Sequence, residues 1–379
     1  MESIIIEDVQ LLCHAGNSPE SVLQVVQKGM LPPPGQVHVG ELTVPAGTVE
    51  EPLPSIEQEA FATRTNALIL YCLQRLRHIH GISPERLGIV MGSSNAGIEE
   101  FHHAWQNNSV TEQSWQKLEP GSVSDFVAAY TGAQGPALTL STACSSSAKA
   151  LATAARLLEM GICDAVIAGG GDALCRFALE GFHALQLISK ERCEPFTLNG
   201  GGINHGEGAA LFLLTKRAPK SGDIILSGYG ETADAHHTTT PEPSGKQAAR
   251  AMQQALAMAQ LQAEDIDYIN MHGTGTDAND LMEMNALAEI FRSDCPPCSS
   301  TKPYTGHTLG AAGAVEAAIC TALLRANTCC LPYSTVQSPP PDFPHINFSA
   351  TAARPVKHCM SNSFAFGGNN CSLILSRHD

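Results

Sequence analysis

The chain has 379 residues and a formal net charge of −15, with only 16% of residues charged. That length suffices for a large buried core and for more than one domain, whereas the acidic balance and the lack of any Lys/Arg run argue against nucleic-acid binding. No stretch reaches the ~18–20 uninterrupted apolar residues of a membrane span, no N-terminal targeting signal is visible, and the 13 cysteines follow no disulfide-framework spacing, so the chain is expected to be cytoplasmic with most cysteines acting as small buried hydrophobes.

Short β-branched runs alternate with Ala/Leu-rich stretches of helical period. Residues 4–6 read as a strand, 61–77 as a helix and 87–91 as a strand. Residues 137–140 read as a strand, 148–160 as a helix closed by Gly161, then 165–168 and 209–215 as strands. The polar segment 216–222 is the candidate boundary, dividing an N-terminal half, 1–218, from a C-terminal half, 219–379. Beyond it, 224–226, 266–269 and 372–375 read as strands and 310–325 as a helix. Strands separated by helices predict a largely parallel α/β sheet. The halves echo one another. Ser141-Thr142-Ala143-Cys144 leads from a strand into a helix followed by strand 164–168, and Ser299-Ser300-Thr301-Lys302 precedes helix 310–325, with Cys329-Cys330-Leu331 in the place of that following strand. The echo predicts a duplicated unit. The proline-rich stretch 338–341 is expected to be a rigid loop.

Four clusters carry chemistry. Cys144 sits at a strand-to-helix junction, where the helix N-terminus and free N–H groups are expected to lower its pKa and favour thiolate; its own amide can face an oxyanion on a thioester carbonyl. The hydroxyl-rich surroundings, 141–147, are not those of an apolar plug. His272, in His272-Gly273-Thr274-Gly275-Thr276, follows a strand and can donate an N–H to a carbonyl or act as a base. Lys302 and His307 lie five residues apart before a helix whose Glu316 can pair with the lysine. Phe364-Ala365-Phe366-Gly367-Gly368 is a glycine loop with free N–H groups beside an aromatic, suited to an oxyanion hole and a gate. Cys295-Pro296-Pro297-Cys298 has metal-ligand spacing without a matching pair, and Gly169-Gly170-Gly171 lacks nucleotide-loop spacing, so tight packing explains it.

At these residues, in this order and spacing, the chain strongly resembles the β-ketoacyl-acyl-carrier-protein synthases, the elongating synthase I/II type of the thiolase superfamily. The likeness includes Asn279, Asp280 and Glu283 and the run from Gly310 to Glu316. It implies a thiolase fold, a five-layer αβαβα sandwich of two similar halves, the first carrying the nucleophilic cysteine and the second the His/Lys/His residues and the Phe gate. It implies an acyltransferase that loads an acyl group on Cys144 and joins it by decarboxylative Claisen condensation to a malonyl unit. His272 and His307 would bind the malonyl thioester, and Lys302 would orient and tune the site through Glu316. The amides of Cys144 and Phe366 would form the oxyanion hole, with Phe366 as gate; Thr274, Thr276 and Thr239 would contact the phosphopantetheine arm. The expected partner is acyl-carrier protein, with Arg64, Arg75 and Arg77 as candidate docking cations, in a homodimer or a heterodimer with a chain-length-factor-like subunit. No metal and no cofactor beyond the carrier's phosphopantetheine is expected.

The chain departs from the family pattern at Ala365, where a glycine is usual and a stiffer loop is expected, and at Asn95, in place of an apolar residue at the pocket floor. Segment 197–201 lacks the usual charged residues, and the chain is shortened before Leu87 and over 120–136. These departures point to polyketide or aryl-polyene elongation rather than housekeeping fatty-acid synthesis. Two other readings are a non-catalytic chain-length-factor-like subunit, opposed by the presence of Cys144, His272 and His307, and a coenzyme A thiolase, opposed by the Lys302–His307 pair and by the absence of a second cysteine in a glycine-rich C-terminal setting.

Overall fold

The computed structural model describes residues 2–77, 81–197, 200–336, 339–340, 343–344 and 346–379. Leu198 and Asn199 of segment 197–201, and Ser338 and Pro341 of the proline-rich stretch, lie outside the described residues. In the first half the order is β1 (Ser3–Cys13), α1 (Pro19–Lys28), β2 (Gly35–Val39), β3 (Leu42–Ala46), α2 (Arg64–Leu73), β4 (Leu87–Gly92), α3 (Ile98–Gln106), α4 (Glu112–Leu118), α5 (Gly121–Thr131), β5 (Ala137–Leu140), α6 (Ser146–Glu159), β6 (Ala165–Asp172), α7 (Arg176–Ala184) and β7 (Gly208–Arg217). The second half runs β8 (Ile224–Ala233), α8 (Lys246–Ala259), β9 (Tyr268–Asn270), α9 (Asp277–Phe291), β10 (Cys298–Ser299), α10 (Lys302–Thr305), α11 (Ala312–Ala326), β11 (His358–Ala365) and β12 (Asn369–Arg377).

Each half builds a five-strand sheet of one topology, β5-β4-β6-β7-β1 in the first and β10-β9-β11-β12-β8 in the second. The three strands at the far end of each are parallel and the other two join antiparallel. Where the sheets meet, Ile5 of β1 stands opposite Ile225 of β8. This repetition is stronger than the sequence echo, and it corrects one term of it. Cys329–Leu331 is no strand: Cys330 makes only an isolated bridge to Thr351. The fourth strand of the second half is β11, reached after an irregular connection.

Strand pleating explains the layers. Along β6 and β7, Val166, Ala168, Phe212 and Leu214 point into a central core, while Ile167 and Leu213 point to an outer one. In the second half Tyr268 and Leu373 face that same central core, and Ile269 and Ile374 the opposite outer layer. α6 and α11 fill the centre, α2 and α5 cover the first sheet, and α8 and α9 cover the second. The result is a five-layer αβαβα sandwich. The middle helices are alanine-rich because each lies between sheets: Ala150, Ala154, Ala314 and Ala318 are fully buried, and small side chains let the layers approach closely. The 18-residue stretch Leu309–Ala326, apolar but for a few residues that include Glu316 and Arg325, is long enough for a bilayer but is spent on this central layer.

Helix 61–77 is shorter than its apolar period predicts. Thr63 caps α2 by accepting the Asn66 N–H at 3.1 Å, and the helix ends at Leu73. Gly161, by contrast, follows α6 with φ 67°, the left-handed turn that stops a helix cheaply. The triple glycine lies inside β6, where a Cβ on Gly169 would stand 2.0 Å from the Ala210 carbonyl oxygen, so close strand packing accounts for it.

Candidate active site

Cys144 lies between β5 and α6, and the chain reaches it through Ala143 at φ 51°, a left-handed conformation costing a non-glycine residue about 1–2 kcal/mol. The neighbouring hydroxyls hold this elbow. Ser146 Oγ accepts the Thr142 N–H at 2.8 Å and donates to the Ala143 carbonyl at 2.6 Å, while Ser145 Oγ donates to the Thr142 carbonyl at 2.9 Å. Ser147 Oγ accepts the Ala314 N–H at 2.9 Å, tying α6 to α11. The serine run therefore satisfies backbone that a tight turn would leave unpaired.

His307 reaches this cysteine from the second half. Its Nε2 lies 3.0 Å from Cys144 Sγ. The His307 N–H donates to the Asn204 carbonyl at 2.8 Å and its carbonyl accepts the Gly206 N–H at 2.9 Å. The bend at Gly306, φ 71°, brings its Cα so near Gly206 that a Cβ would stand 2.8 Å away. His272 stands beside it, the ring centroids 5.4 Å apart and nearly perpendicular, and Cys144 Sγ and one nitrogen of each ring lie within 4.8 Å of one another.

The tautomers follow from the hydrogen bonds. His307 Nδ1 accepts the Leu309 N–H at 3.2 Å. Lys302 Nζ, a donor only, lies 3.3 Å from His272 Nδ1. Both Nδ1 atoms are acceptors, so each neutral ring carries its proton on Nε2. Burial and the Lys302 charge hold both rings well below the usual histidine pKa, so they stay neutral donors. Lys302, itself buried, also donates to the His272 carbonyl and to Glu316 Oε1, while Glu316 Oε2 has no partner among the described residues. Burial outweighs the lysine and pushes the Glu316 carboxyl up to about 7.

The expectation of a cysteine biased to thiolate is corrected. Cys144 is 5% exposed, and burial pushes its thiol up to about 11 against the opposing pull of the Lys302 charge and the backbone amides of Phe366 and Cys144. The free site therefore holds a thiol at neutral pH. Those same amides converge on the sulfur, where an oxyanion on a Cys144-bound carbonyl would form. Phe366 stacks on Phe182 at 5.2 Å and 21°, and the Gly367 N–H donates to the Thr238 carbonyl at 2.8 Å. Ala365 has φ −102°, open to any residue, so the structure gives no strain for it to relieve or add.

A cavity of about 480 Å³ opens onto Cys144, His272 and His307, and Thr239, Thr274 and Thr276 line it. Thr274 and Thr276 hydroxyls lie 2.9 Å apart. Every residue singled out from sequence for catalysis or arm binding except Lys302 and Glu316 lines this space; those two lie behind the His272 ring. The docking cations fare differently. Arg64 forms a bidentate pair with buried Glu207 at 2.6–2.7 Å, the Arg75 guanidinium sits 3.4 Å over the Tyr71 ring, and neither they nor Arg77 line the cavity. Asn95 is fixed by its Nδ2 donating to the Ala173 carbonyl at 3.0 Å.

Buried carboxylates position the loops. Glu283 accepts the N–H groups of His272 and Gly273, both at 2.8 Å. Asp172, at the end of β6, accepts from Ser94, Asn95 and Gly310 backbone N–H groups and the Ser93 hydroxyl. Sequence reading missed Asp172. Its signal was an acid closing an apolar strand, which only a buried, fully bonded carboxylate explains.

Comparison with known proteins agrees with this geometry. Residues 48–219 match the β-ketoacyl synthase N-terminal domain and residues 224–332 the β-ketoacyl synthase C-terminal domain. The 3-oxoacyl-[acyl-carrier-protein] synthase 2 of Rhizobium meliloti (strain 1021) is 34% identical over 318 residues, covering 77% of this chain and 74% of that protein. The protein of that name from Staphylococcus aureus (strain N315) is 32% identical over 322 residues, 79% and 77% of the two chains. Among solved structures, the ketosynthase ApeO, in complex with its chain length factor ApeC from Xenorhabdus doucetiae, superposes with TM-score 0.89 at 37% identity over 100% of this chain and 98% of that one. A β-ketoacyl synthase from Burkholderia phymatum STM815 gives 0.86 at 27% identity over the whole of both chains. The sandwich is the thiolase fold of these ketosynthases.

Proposed function

Because the chain belongs to the β-ketoacyl synthase family, we propose that it is an acyltransferase performing decarboxylative Claisen condensation on carrier-bound thioesters in fatty-acid or polyketide elongation. The observation that carries the division of labour is His307 Nε2 at 3.0 Å from Cys144 Sγ, with the Nδ1 of both imidazoles already occupied. In the first half-reaction Cys144 sulfur bonds to the acyl carbonyl carbon, the carrier's thioester C–S bond breaks, and the thiol proton leaves on the departing pantetheine sulfur. A malonyl thioester then enters through the threonine-lined mouth. Its carboxylate C–C bond breaks, carbon dioxide departs, and the electron pair passes into an enolate whose oxygen takes the Nε2–H groups of His272 and His307. The enolate carbon attacks the Cys144 thioester, and the amides of Cys144 and Phe366 hold the oxyanion until the cysteine sulfur is expelled. Lys302 and Glu316 keep the His272 ring in the donor tautomer, and Phe366 gates the cavity against Phe182.

Residues 1–218 then form the half that supplies the nucleophile and 219–379 the half that supplies the donors. The chemistry runs without metal or redox cofactor. The carrier's phosphopantetheine would lie along Thr239, Thr274 and Thr276. A place in polyketide or aryl-polyene elongation, alongside a chain-length-factor-like subunit, is supported by full-length similarity at 37% identity to a ketosynthase described in complex with its chain length factor. A second copy of this chain or such a subunit would pair along β5, an edge strand with Leu138 41% exposed. Such an enzyme would work in the cytoplasm.

Incubation of the protein with malonyl-acyl-carrier protein and acyl-carrier proteins bearing several chains tests the reaction. A 3-oxoacyl product with carbon dioxide release is expected, together with an acyl mass gain on the enzyme that Cys144→Ala lacks. Condensation by Cys144→Ala, or none with any acyl chain by the native enzyme and its partner subunit, would reject it.

A further inference from the structure

Outside the catalytic cavity, a second pair of reactive groups lies where the connection after α9 enters β10. Cys295 Sγ and Cys298 Sγ are 3.6 Å apart. A disulfide needs about 2.05 Å, so the two sulfurs must approach by only about 1.5 Å to bond. The backbone around the pair is fixed. The Cys298 N–H donates to the Asn347 carbonyl at 2.8 Å, and the Pro297 carbonyl accepts the Ile269 N–H at 3.0 Å. Pro296 and Pro297 restrict the intervening turn further. Cys295 retains 9% exposure against 1% for Cys298, which gives the pair an outer and an inner sulfur. The thiols of Cys13 and Cys72 are pushed up by burial. Cys295 differs: its hydrogen bond with Cys298, helped by the Asn347 amide, holds it below the usual thiol range. Among the described residues, no further His, Cys, Asp or Glu completes a metal-binding group with these two.

We propose that Cys295 and Cys298 form a redox-active dithiol site that a peroxide converts to an intramolecular disulfide. Cys295, the outer sulfur, attacks the peroxide: an S–O bond forms as the O–O bond breaks, and the departing hydroxide leaves as water. Cys298 sulfur then displaces hydroxide from the Cys295 sulfenic acid, forming the S–S bond and a second water. Two thiols are oxidised and one peroxide is reduced, with both thiol protons carried off in water. A thiol reductant reverses the bond by exchange. The site is independent of the condensation chemistry, since neither sulfur touches the catalytic cavity.

The test uses the full chain in a Cys144→Ala background, so that the nucleophile's own oxidation does not interfere. The reduced protein is treated with hydrogen peroxide, alkylated, digested and mapped by mass spectrometry. The expected result is a peptide containing 295–298 that has lost two hydrogens and takes no alkyl group, with both alkylation sites restored by dithiothreitol. Cys298→Ser should instead leave Cys295 trapped as sulfenic acid, detectable with dimedone, while its thermal midpoint shows that the fold is kept. Three outcomes would overturn the proposal: both thiols still alkylated after peroxide, Cys295 carried to sulfinic acid without a disulfide, or retention of zinc by the pair after dialysis against zinc chloride.

Discussion

His307 and Cys144 are 163 positions apart in sequence, and their side chains meet at 3.0 Å. Each comes from a different half of the sandwich, and α6 and α11 run side by side through the central layer from the two junctions that hold them. The contact makes Nε2–H of His307 a donor to whatever occupies the sulfur, thiolate or thioester.

The two imidazoles should separate by experiment. His307→Ala removes a donor next to sulfur as well as one from the enolate site; His272→Ala removes only the latter. Loss of one such donor lowers turnover by about 10²–10³. We expect His272→Ala to acylate at Cys144 normally and lose decarboxylation by about that factor, whereas His307→Ala slows both half-reactions. Single-turnover acylation by intact mass, alongside carbon dioxide release, measures the two separately.

The free thiol should react as its burial dictates. With the Cys144 pKa raised to about 11, the thiolate fraction at neutral pH is small. The alkylation rate by iodoacetamide should therefore climb about tenfold per pH unit through the alkaline range. Lys302→Met removes a charge that opposes the rise, so its rate at any given pH should fall below that of the native enzyme. A rate independent of pH from neutrality upward would contradict the assignment.

Lys302 and Glu316 form a buried pair, and breaking such a pair costs about 3–5 kcal/mol because a charge is left alone. Lys302→Met or Glu316→Leu alone should lower the thermal midpoint strongly, while the double variant should recover much of the loss. Condensation should not recover with it, because no donor then fixes His272 Nδ1. Calorimetry paired with turnover distinguishes positioning from mere stability.

Raised Glu316 makes a further pH signature. Its folded pKa of about 7 lies above the ordinary glutamate value of 4.5, so the folded state binds the proton more tightly. The associated stability is complete below the unfolded value and is lost as pH rises through about 7. Native protein should thus lose thermal stability between mildly acidic and mildly alkaline buffer by more than Glu316→Gln does, and equal slopes would remove Glu316 as the cause.

Sequence reading located Cys144, His272, Lys302, His307 and Phe366 because each lies in a short stretch whose glycines and hydroxyls serve the local turn. Ser145 and Ser146 bond within four residues of themselves, so their purpose is written locally. Asp172 escaped because its partners lie 77 to 138 positions away. The Cys144 pKa escaped for a related reason. A helix N-terminus can be read from neighbours in sequence, but the burial that overrides it exists only once the chain is packed. Strand β11 was misplaced since the chain between α11 and β11 makes no second-half strand at the spacing seen in the first.

Strand β5 ends at Leu140, four residues before the nucleophile, and its outer backbone faces away from the sheet. A neighbour docked there, as proposed, would act as a splint for the elbow at Ala143. Dilution that strips a neighbour from this seam would then be felt first at the sulfur, as a loss of loading speed well before any unfolding, and two copies joined there would hold their reactive centres back to back across one ladder of hydrogen bonds.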